Sequence, residues 1–180
     1  MKKYELTSET KVFLGKTLYR IKALVQFGNV NAGDLGGWIE KEENLSQSGN
    51  AWVSGDASVY GNAEVSGDAS VSGNAWVYGN AEVYGNAEVS GDARVYGNAE
   101  VCKIGAVFWI GAIGSRNGTT TFFRCKDGKI YVSCGCFLGD LEEFSDKVKQ
   151  THGDNEHGRV YMLAIEMAKA RIVEEKNEVH

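Results

Sequence analysis

Small apolar and polar residues follow a fixed order through the middle of the chain. Between Gly49 and Cys102, a six-residue phrase of Gly, Asn or Asp, Ala, a variable residue, Val and a second variable residue occurs nine times. Ala and Val are separated by one position, so both side chains can point to the same side of a short strand. Gly-Asn and Gly-Asp suit tight corners because these residues tolerate a positive φ. The pattern predicts a coil of short strands joined by corners.

A second period of eighteen residues lies on top of the first. The phrase Val-Tyr-Gly-Asn-Ala-Glu recurs every eighteen residues, at Val59, Val77 and Val95, and it also occurs at Val83. Three six-residue sides per turn predict a triangular solenoid of about three coils, in which Val stacks on Val. One wall is expected to combine a tyrosine ladder with a glutamate ladder, namely Tyr60, Tyr78 and Tyr96 with Glu64, Glu82 and Glu100. The tyrosines either stabilise this wall by stacking or form a subunit contact.

Residues 1–48 are predicted to cap the solenoid at its start. Lys11–Leu14 and Thr17–Leu24 are typical of a β-hairpin with a turn at Gly15-Lys16. Trp38-Ile39 and Leu45 are interpreted as the first imperfect rungs of the coil. A solenoid needs such a cap because its apolar interior and strand edges are otherwise open.

Residues 103–180 are predicted to form an α+β region of three strands followed by two helices. The strands are expected at 106–113, 119–125 and 130–136. Asp140 is a good N-cap for a first helix that ends at Gly153, and a second helix is expected from Glu156 to about Val173. The residues assigned to the apolar side of the second helix are Val160, Leu163, Ala164, Met167 and Ala168. The whole chain is thus mainly β, with domains at 1–48, 49–102 and 103–180.

Composition and charge narrow the function classes. The net charge of −5 argues against a protein that coats nucleic acid. The repeats hold seven acidic residues and one base, Arg94, so an anionic ligand is expected to prefer a flanking region. No apolar run approaches the roughly 20 residues of a membrane helix, and no signal peptide is predicted. Four cysteines without a disulfide-type spacing indicate a reduced, cytoplasmic setting.

The repeats resemble the hexapeptide-repeat family of left-handed parallel β-helices, which includes acyltransferases and trimeric shafts. Gly28–Ile39 and Asn44–Gln47 resemble the N-terminal part of bacterial and phage hexapeptide-repeat proteins described as transferases. The resemblance implies a homotrimer or higher homo-oligomer with ligand sites between subunits. Enzymes of the family carry a catalytic His on or beside the coils, whereas these repeats contain no His and no inserted loop. We therefore expect no catalytic residues, with acyl transfer as the alternative.

The most suggestive stretch for ligand binding joins two predicted strands at Gly114–Thr121. Its hydroxyls and backbone N–H groups could hold phosphate oxygens, and an arginine offers a bidentate fork. Trp109, Phe122 and Phe123 could stack on a ring of the ligand. The alternative is an ordinary polar loop above a core of aromatic residues. The predicted ligand-binding residues are Ser115, Arg116, Asn117, Thr119, Thr120, Thr121, Phe123 and Arg124.

Two other clusters are interpreted as structural. Cys125, Cys134 and Cys136 could bind zinc with a histidine, but Cys-x-Cys is not the usual spacing and small cysteines are common in cores. The segment 151–157 gathers two histidines and two acids, from which a general base or a metal site could be built, but a capped, solvated turn explains it equally well. No metal and no cofactor are predicted.

These observations favour a non-catalytic binding protein of phage type. In this hypothesis the solenoid oligomerises, and the C-terminal domain captures a phosphate-bearing small molecule, for which a host nucleotide immune signal is one candidate. No nucleic-acid or membrane partner is expected. The alternatives are a hexapeptide-repeat acyltransferase and a structural shaft or assembly module.

Overall fold

The computed structural model describes residues 1–125 and 127–172. It is mainly β, with a β-solenoid, a four-stranded antiparallel sheet and two C-terminal helices. The N-terminal strands are β1 Tyr4–Phe13, β2 Lys16–Ala23 and β3 Leu35–Ile39, followed by a 3₁₀ turn at Glu42–Asn44. The solenoid strands are β4 Trp52–Val53, β5 Ser58–Val59, β6 Glu64–Val65, β7 Ser70–Val71, β8 Trp76–Val77, β9 Glu82–Val83, β10 Glu88–Val89, β11 Arg94–Val95 and β12 Glu100–Val101. The C-terminal elements are β13 Val107–Ile113, β14 Gly118–Arg124, β15 Ile130–Cys134, β16 Phe137–Asp140, α1 Leu141–His152 and α2 Glu156–Arg171.

Three parallel sheets form the walls of the solenoid. Strands eighteen residues apart pair in register, so that Val59 lies beside Val77 and Val77 beside Val95. Every Ala and Val of the repeat positions is at most 1% exposed. Backbone N–H groups of one turn donate to carbonyls of the next, as Trp52 does to Ala69 at 3.0 Å. The predicted triangular solenoid is confirmed.

The solenoid has about one turn more than the repeat count indicates. Strand β3 pairs in parallel with β5, and Leu45 forms a bridge to Val65, so the imperfect rungs are confirmed. The sheet therefore contains four parallel strands in the order β3-β5-β8-β11. The first turn departs from the six-residue phrase, which is why counting the repeats gave about three coils.

The N-terminal hairpin caps the start of the prism. Strand β1 begins seven residues earlier than predicted, at Tyr4 instead of Lys11, and pairs with β2 up to Phe13. The Lys3 ammonium group donates to the Ala51 carbonyl at 2.9 Å, and the Tyr4 hydroxyl donates to the Leu45 carbonyl at 2.7 Å. These side chains satisfy backbone oxygens that no further turn covers.

The predicted composition of the walls was wrong in one respect. The tyrosine ladder shares its wall with Ser58, Trp76 and Arg94, because both neighbours of the inward Val point outward from the same strand. The glutamate ladder lies on the next wall, where the Tyr84 hydroxyl donates to Glu100. Stacking of the tyrosines is confirmed, with ring centroids 5.0 Å apart for Tyr60–Tyr78 and 4.6 Å for Tyr78–Tyr96.

The corners require glycine for two reasons. Gly73, for example, has a φ of +69°, which L side chains rarely adopt. A Cβ at this position would also lie 2.9 Å from the backbone nitrogen of Gly91 in the next turn. Successive turns are therefore stacked too closely for a side chain at the corner.

The C-terminal sheet, in the order β13-β14-β15-β16, closes the other end of the solenoid. The Arg94 N–H donates to the Thr121 hydroxyl at 3.0 Å, and Phe123 packs near Tyr96. The two helices cover the opposite face, where the rings of Phe122 and Phe144 meet edge to face with their centroids 6.3 Å apart. The sheet thus lies between the solenoid and the helices.

The predicted strand at 119–125 is confirmed as β14, which begins one residue earlier, at Gly118. Two details of the C-terminal prediction were wrong. The sheet has a fourth strand, β16, because Gly135 adopts a φ of +60° and forms a two-residue hairpin turn with Cys136. On α2, Leu163 and Met167 are 65% and 52% exposed, because Tyr161, Ala164, Ile165 and Ala168 form the buried face instead. The predicted end of this helix at Val173 lies outside the described residues.

Candidate functional site

A cavity of about 300 Å³ opens at the end of the C-terminal sheet. It lies where the β13–β14 turn and the β15–β16 turn come together, next to helix α1 and to the solenoid strand β11. Its lining residues are Arg94, Ile113, Ser115, Arg116, Gly118, Thr119, Cys134, Gly135, Cys136, Phe137, Phe144, Lys147, Val148, Thr151, His152 and Tyr161. We refer to this space as the sheet-end cavity.

The local sequence explains the shape of the β13–β14 turn. Gly114 and Asn117 both have positive φ values, of 72° and 48°, which Gly and Asn tolerate better than other residues. A Cβ on Gly114 would overlap the Tyr161 hydroxyl, so only glycine lets the turn approach α2 this closely. The turn therefore holds Arg116 at the rim of the cavity.

The charge around the sheet-end cavity is one-sided. Arg94, Arg116 and Lys147 contribute cationic groups, and His152 contributes an imidazole ring. None of the described residues that line it is acidic. This contrasts with the acidic solenoid and with the net charge of −5. The cavity is consequently suited to an anion.

The solenoid side of the cavity is formed by Arg94. Its guanidinium group lies 4.4 Å from the centre of the Trp76 ring, one turn earlier on the same wall. Its backbone N–H is bound by Thr121 at 3.0 Å. Arg94 is half-buried, with its backbone bound to Thr121 and its guanidinium group placed over Trp76.

The floor of the cavity is apolar and aromatic. Ile113, Phe137, Phe144 and Val148 contribute to it, and Phe137 and Phe144 lie with ring centroids 5.2 Å apart. An apolar floor with charged groups at the rim is typical of small-molecule sites, in which the polar groups fix orientation.

A short polar chain runs into the cavity from the sheet. Thr120 donates from its hydroxyl to Cys134 Sγ at 3.3 Å, and Cys134 Sγ lies 3.6 Å from Tyr161 Oη. Burial and the contact with Cys134 raise the pKa of Tyr161 to about 12. Its hydroxyl group is therefore protonated at neutral pH and can donate a hydrogen bond to a ligand.

The structure brings three of the predicted ligand-binding residues to the cavity. Ser115, Arg116 and Thr119 line it, while Thr120 is buried and reaches it only through Cys134. Asn117 is exposed at the turn and does not line the cavity.

The other predicted residues have different positions. Thr121 binds the Arg94 backbone, and Phe123 is fully buried in the solenoid's core. Arg124 is half-buried at the far end of β14, where its N–H contacts the Ala106 carbonyl at 3.3 Å. The predicted aromatic partners Trp109, Phe122 and Phe123 do not line the cavity either, since Phe137, Phe144 and Tyr161 occupy that place.

The predicted ligand-binding residues include none from the repeats or the helices, although both contribute side chains to the cavity. Arg94 was visible as the one base within the repeats, but nothing in the sequence indicated which end of the coil it would face. Lys147 and His152 lie on the cavity side of α1, which the apolar positions Phe144 and Val148 could have indicated by helical spacing.

The cysteine and histidine clusters do not converge into a metal site. His152 and His157 have ring centroids 5.7 Å apart, and Cys125 is buried at the other end of β14 from the cavity. Within residues 1–125 and 127–172, no three His, Cys, Asp or Glu side chains are grouped so that they could hold a metal ion. In the same ranges, neither helix has the length and apolar character required to span a membrane.

Comparison with known proteins gives a partial similarity. No protein-family model matches the chain. A protein of Escherichia coli (strain K12), described as the uncharacterized acetyltransferase YdcK, is 38% identical over 61 residues. The match covers 29% of this chain and 19% of the relative, so it spans about a fifth of the relative's length. The β-solenoid and this similarity together support a hexapeptide-repeat protein over part of the chain.

Proposed function

We propose that this protein binds a small phosphate-bearing molecule in the sheet-end cavity. The observation that carries the proposal is the charge of the lining: Arg94, Arg116, Lys147 and His152 surround an apolar floor, and no described lining residue is acidic. Guanidinium groups bind phosphate through parallel N–H···O bonds, and the Tyr161 hydroxyl adds a neutral donor.

The size of the cavity limits the ligand. Small-molecule sites have volumes of about 300–1,000 Å³, so a cavity of about 300 Å³ is at the lower end of the range. A molecule of nucleotide size fits this limit, and its ring can pack on Phe137 and Phe144. A host nucleotide signal, captured in the bacterial cytoplasm during phage infection, is the ligand class that we favour.

A thermal-shift panel of nucleosides and nucleotides tests the proposal. We expect at least one phosphate-bearing member to raise the melting temperature of the wild type, because a ligand stabilises the state that binds it. Arg116→Ala should remove this shift, and Lys149→Ala should retain it, because Lys149 lies on α1 outside the cavity. An unchanged shift in Arg116→Ala would overturn the site assignment.

The proposed oligomer is a homotrimer formed through the solenoid. Native mass spectrometry of the purified protein would report the number of subunits and any retained ligand together. A monomer would remove oligomerisation from the proposal but would leave the cavity, which one chain forms by itself. A trimer with no retained ligand and no hit in the panel would favour the structural shaft.

Acyl transfer is the second candidate, and the similarity to a protein described as an acetyltransferase favours it. The repeats contain no histidine, but the structure places His152 at the cavity, where it could serve as a general base. Thiol release from acetyl-CoA in the presence of candidate acceptors tests this function. Turnover that His152→Ala abolishes would establish it, and nucleotide binding without turnover would favour the first proposal.

A further inference from the structure

We propose that the sheet-end cavity contains two separate anion subsites, and that its ligand carries two phosphate groups joined by a ring-bearing unit. This inference rests on the proposed function, because it specifies the ligand of the same cavity. The two subsites are named here after Arg94 and Arg116.

The cations reach the cavity from opposite faces of the C-terminal sheet. Side chains alternate along β14, so Thr121 faces the solenoid and Phe122 faces the helices. Arg94 is anchored on the solenoid face through Thr121. Lys147 and His152 come from α1, which covers the helix face. A ligand with two anionic ends can engage the cations of both faces at once.

The Arg94 subsite is preorganised by an aromatic platform. The guanidinium group lies 4.4 Å from the centre of the Trp76 ring, which is a cation–π geometry. A stacked guanidinium keeps its in-plane N–H groups available for an anion. Trp76 does not line the cavity, so it is a positioning residue that acts through Arg94.

The Arg116 subsite lies at the tip of the sheet. A Cβ on Gly135 would be 3.9 Å from Arg116 Nη1, so the guanidinium group lies across the β15–β16 turn. Its positive charge acts on the Tyr161 hydroxyl, and the ring of His152 is 5.7 Å from that of Tyr161. Arg116, Tyr161 and His152 thus form one group of donors on the helix side.

The charge of the lining also accommodates more than one phosphate. A phosphate monoester carries about −1.5 to −2 charges at neutral pH. The cavity presents three cationic groups and one histidine, so a single phosphate leaves at least one cation uncompensated. Two phosphates bring about −3 to −4 charges, which matches the lining.

Calorimetric titration with three defined probes tests the inference: adenosine 5′-monophosphate, adenosine 5′-diphosphate and adenosine 3′,5′-bisphosphate. The wild type should bind the bisphosphate at least tenfold more tightly than the other two, because only its phosphates are on separate atoms of the sugar. Arg94→Ala should reduce the bisphosphate affinity at least tenfold, to about that of the monophosphate, whereas Lys149→Ala, which lies outside the cavity, should leave the affinities for all three probes unchanged. Equal affinity for all three probes, or a bisphosphate affinity that Arg94→Ala does not change, would overturn the inference and leave single-phosphate binding intact. If the wild type binds none of the probes or other nucleotides, the proposed function itself fails.

Trp76 supplies a second measurement that does not depend on affinity alone. We expect ligand-linked tryptophan fluorescence to change in the wild type and in Trp52→Phe, and to be lost in Trp76→Phe. Trp76→Leu should reduce the ratio of bisphosphate to monophosphate affinity as Arg94→Ala does. A lower melting temperature with an unchanged ratio would mean that Trp76 only stabilises the fold, and the positioning role would be rejected.

Discussion

The solenoid and the C-terminal region both enclose an apolar interior, but they do so with opposite kinds of sequence. The nine repeats of the solenoid use two small residues, Ala and Val, at their inward positions, and all of them are at most 1% exposed. The C-terminal region packs unequal aromatic rings, such as Phe122, Phe144 and Tyr161, between a sheet and two helices. Equal rungs stack without gaps, whereas unequal side chains leave the sheet-end cavity open at one edge. Repetition therefore determines the shape, and irregular positions determine the site.

Arg94 is the residue that connects the two regions. It occupies a variable position of the repeat, where Trp76 stands one turn earlier and Ser58 two turns earlier. Its backbone belongs to the solenoid wall, and its side chain belongs to the cavity. A single charged residue at a variable position is enough to add a functional group without disturbing the Val stack.

The largest expected effect on stability comes from a corner of the solenoid. Gly73→Ala should lower the free energy of unfolding by about 2–4 kcal/mol, because it combines a positive φ with overlap against the next turn. Gly15→Ala is the matched control: its φ is +77°, but no atom lies within 4 Å of the added Cβ. The control should lose only about 1–2 kcal/mol. Equal losses in urea unfolding would show that the turns are not stacked this closely.

Arg116→Ala should have the opposite effect, because it should weaken ligand binding and leave the stability of the fold nearly unchanged. The loss of charge-assisted hydrogen bonds to a phosphate should weaken ligand binding by about 1.5–3 kcal/mol, which is roughly 10–100-fold. Because Arg116 is exposed, the free energy of unfolding without ligand should change by less than about 0.5 kcal/mol. Calorimetry and urea unfolding of the same preparation measure both quantities. A loss of stability with unchanged affinity would reverse the assigned roles of the two regions.

The N-terminal cap should make stability depend on pH through Lys3. Burial lowers the pKa of Lys3 to about 8, so between pH 8 and its ordinary value of 10.5 the unfolded chain binds more protons. The contribution of Lys3 to the free energy of unfolding should therefore rise by about 1–2 kcal/mol from pH 7 to pH 9.5 and be lost again as the pH falls.

Cys125 acts in the other direction, since burial raises its pKa to about 12. The contribution of Lys3 is therefore obtained by comparing the wild type with Lys3→Met at each pH. Parallel pH profiles of the two proteins would contradict the assigned environment of Lys3.

The smallest effect is expected from a pair of lysines on α1. Lys147 lines the cavity and Lys149 does not, although both are exposed and carry the same charge. Lys147→Ala should weaken ligand binding by about 0.2–1 kcal/mol, and Lys149→Ala should leave it unchanged. Equal effects would indicate general electrostatic attraction in place of a defined site.

The sequence predicts the two regions to different depths for a physical reason. The solenoid repeats one local rule, so the position of Val77 determines those of Val59 and Val95, and the wall strands follow. An assignment that depended on the tertiary fold was wrong. The tyrosines were placed on the wall of the glutamates, across a corner, whereas they share their wall with Arg94.

The candidate site could be predicted only in part. The turn residues Ser115 and Arg116 were found because their types are local signals for anion binding. Thr121 offers a hydroxyl and Phe123 a ring for stacking, but strand alternation directs both side chains to the solenoid, where they close its open end. Arg94 and His152 are 58 residues apart in the chain, so only the tertiary fold brings them to one cavity.

The central claim is that the sheet-end cavity is the functional site and binds phosphate-bearing molecules through Arg116. The most direct test is calorimetric titration of the wild type and of Arg116→Ala with the nucleotide that gives the largest thermal shift. We expect saturable binding by the wild type and a loss of affinity of roughly 10–100-fold in the variant. Binding of equal strength by both proteins would contradict the account.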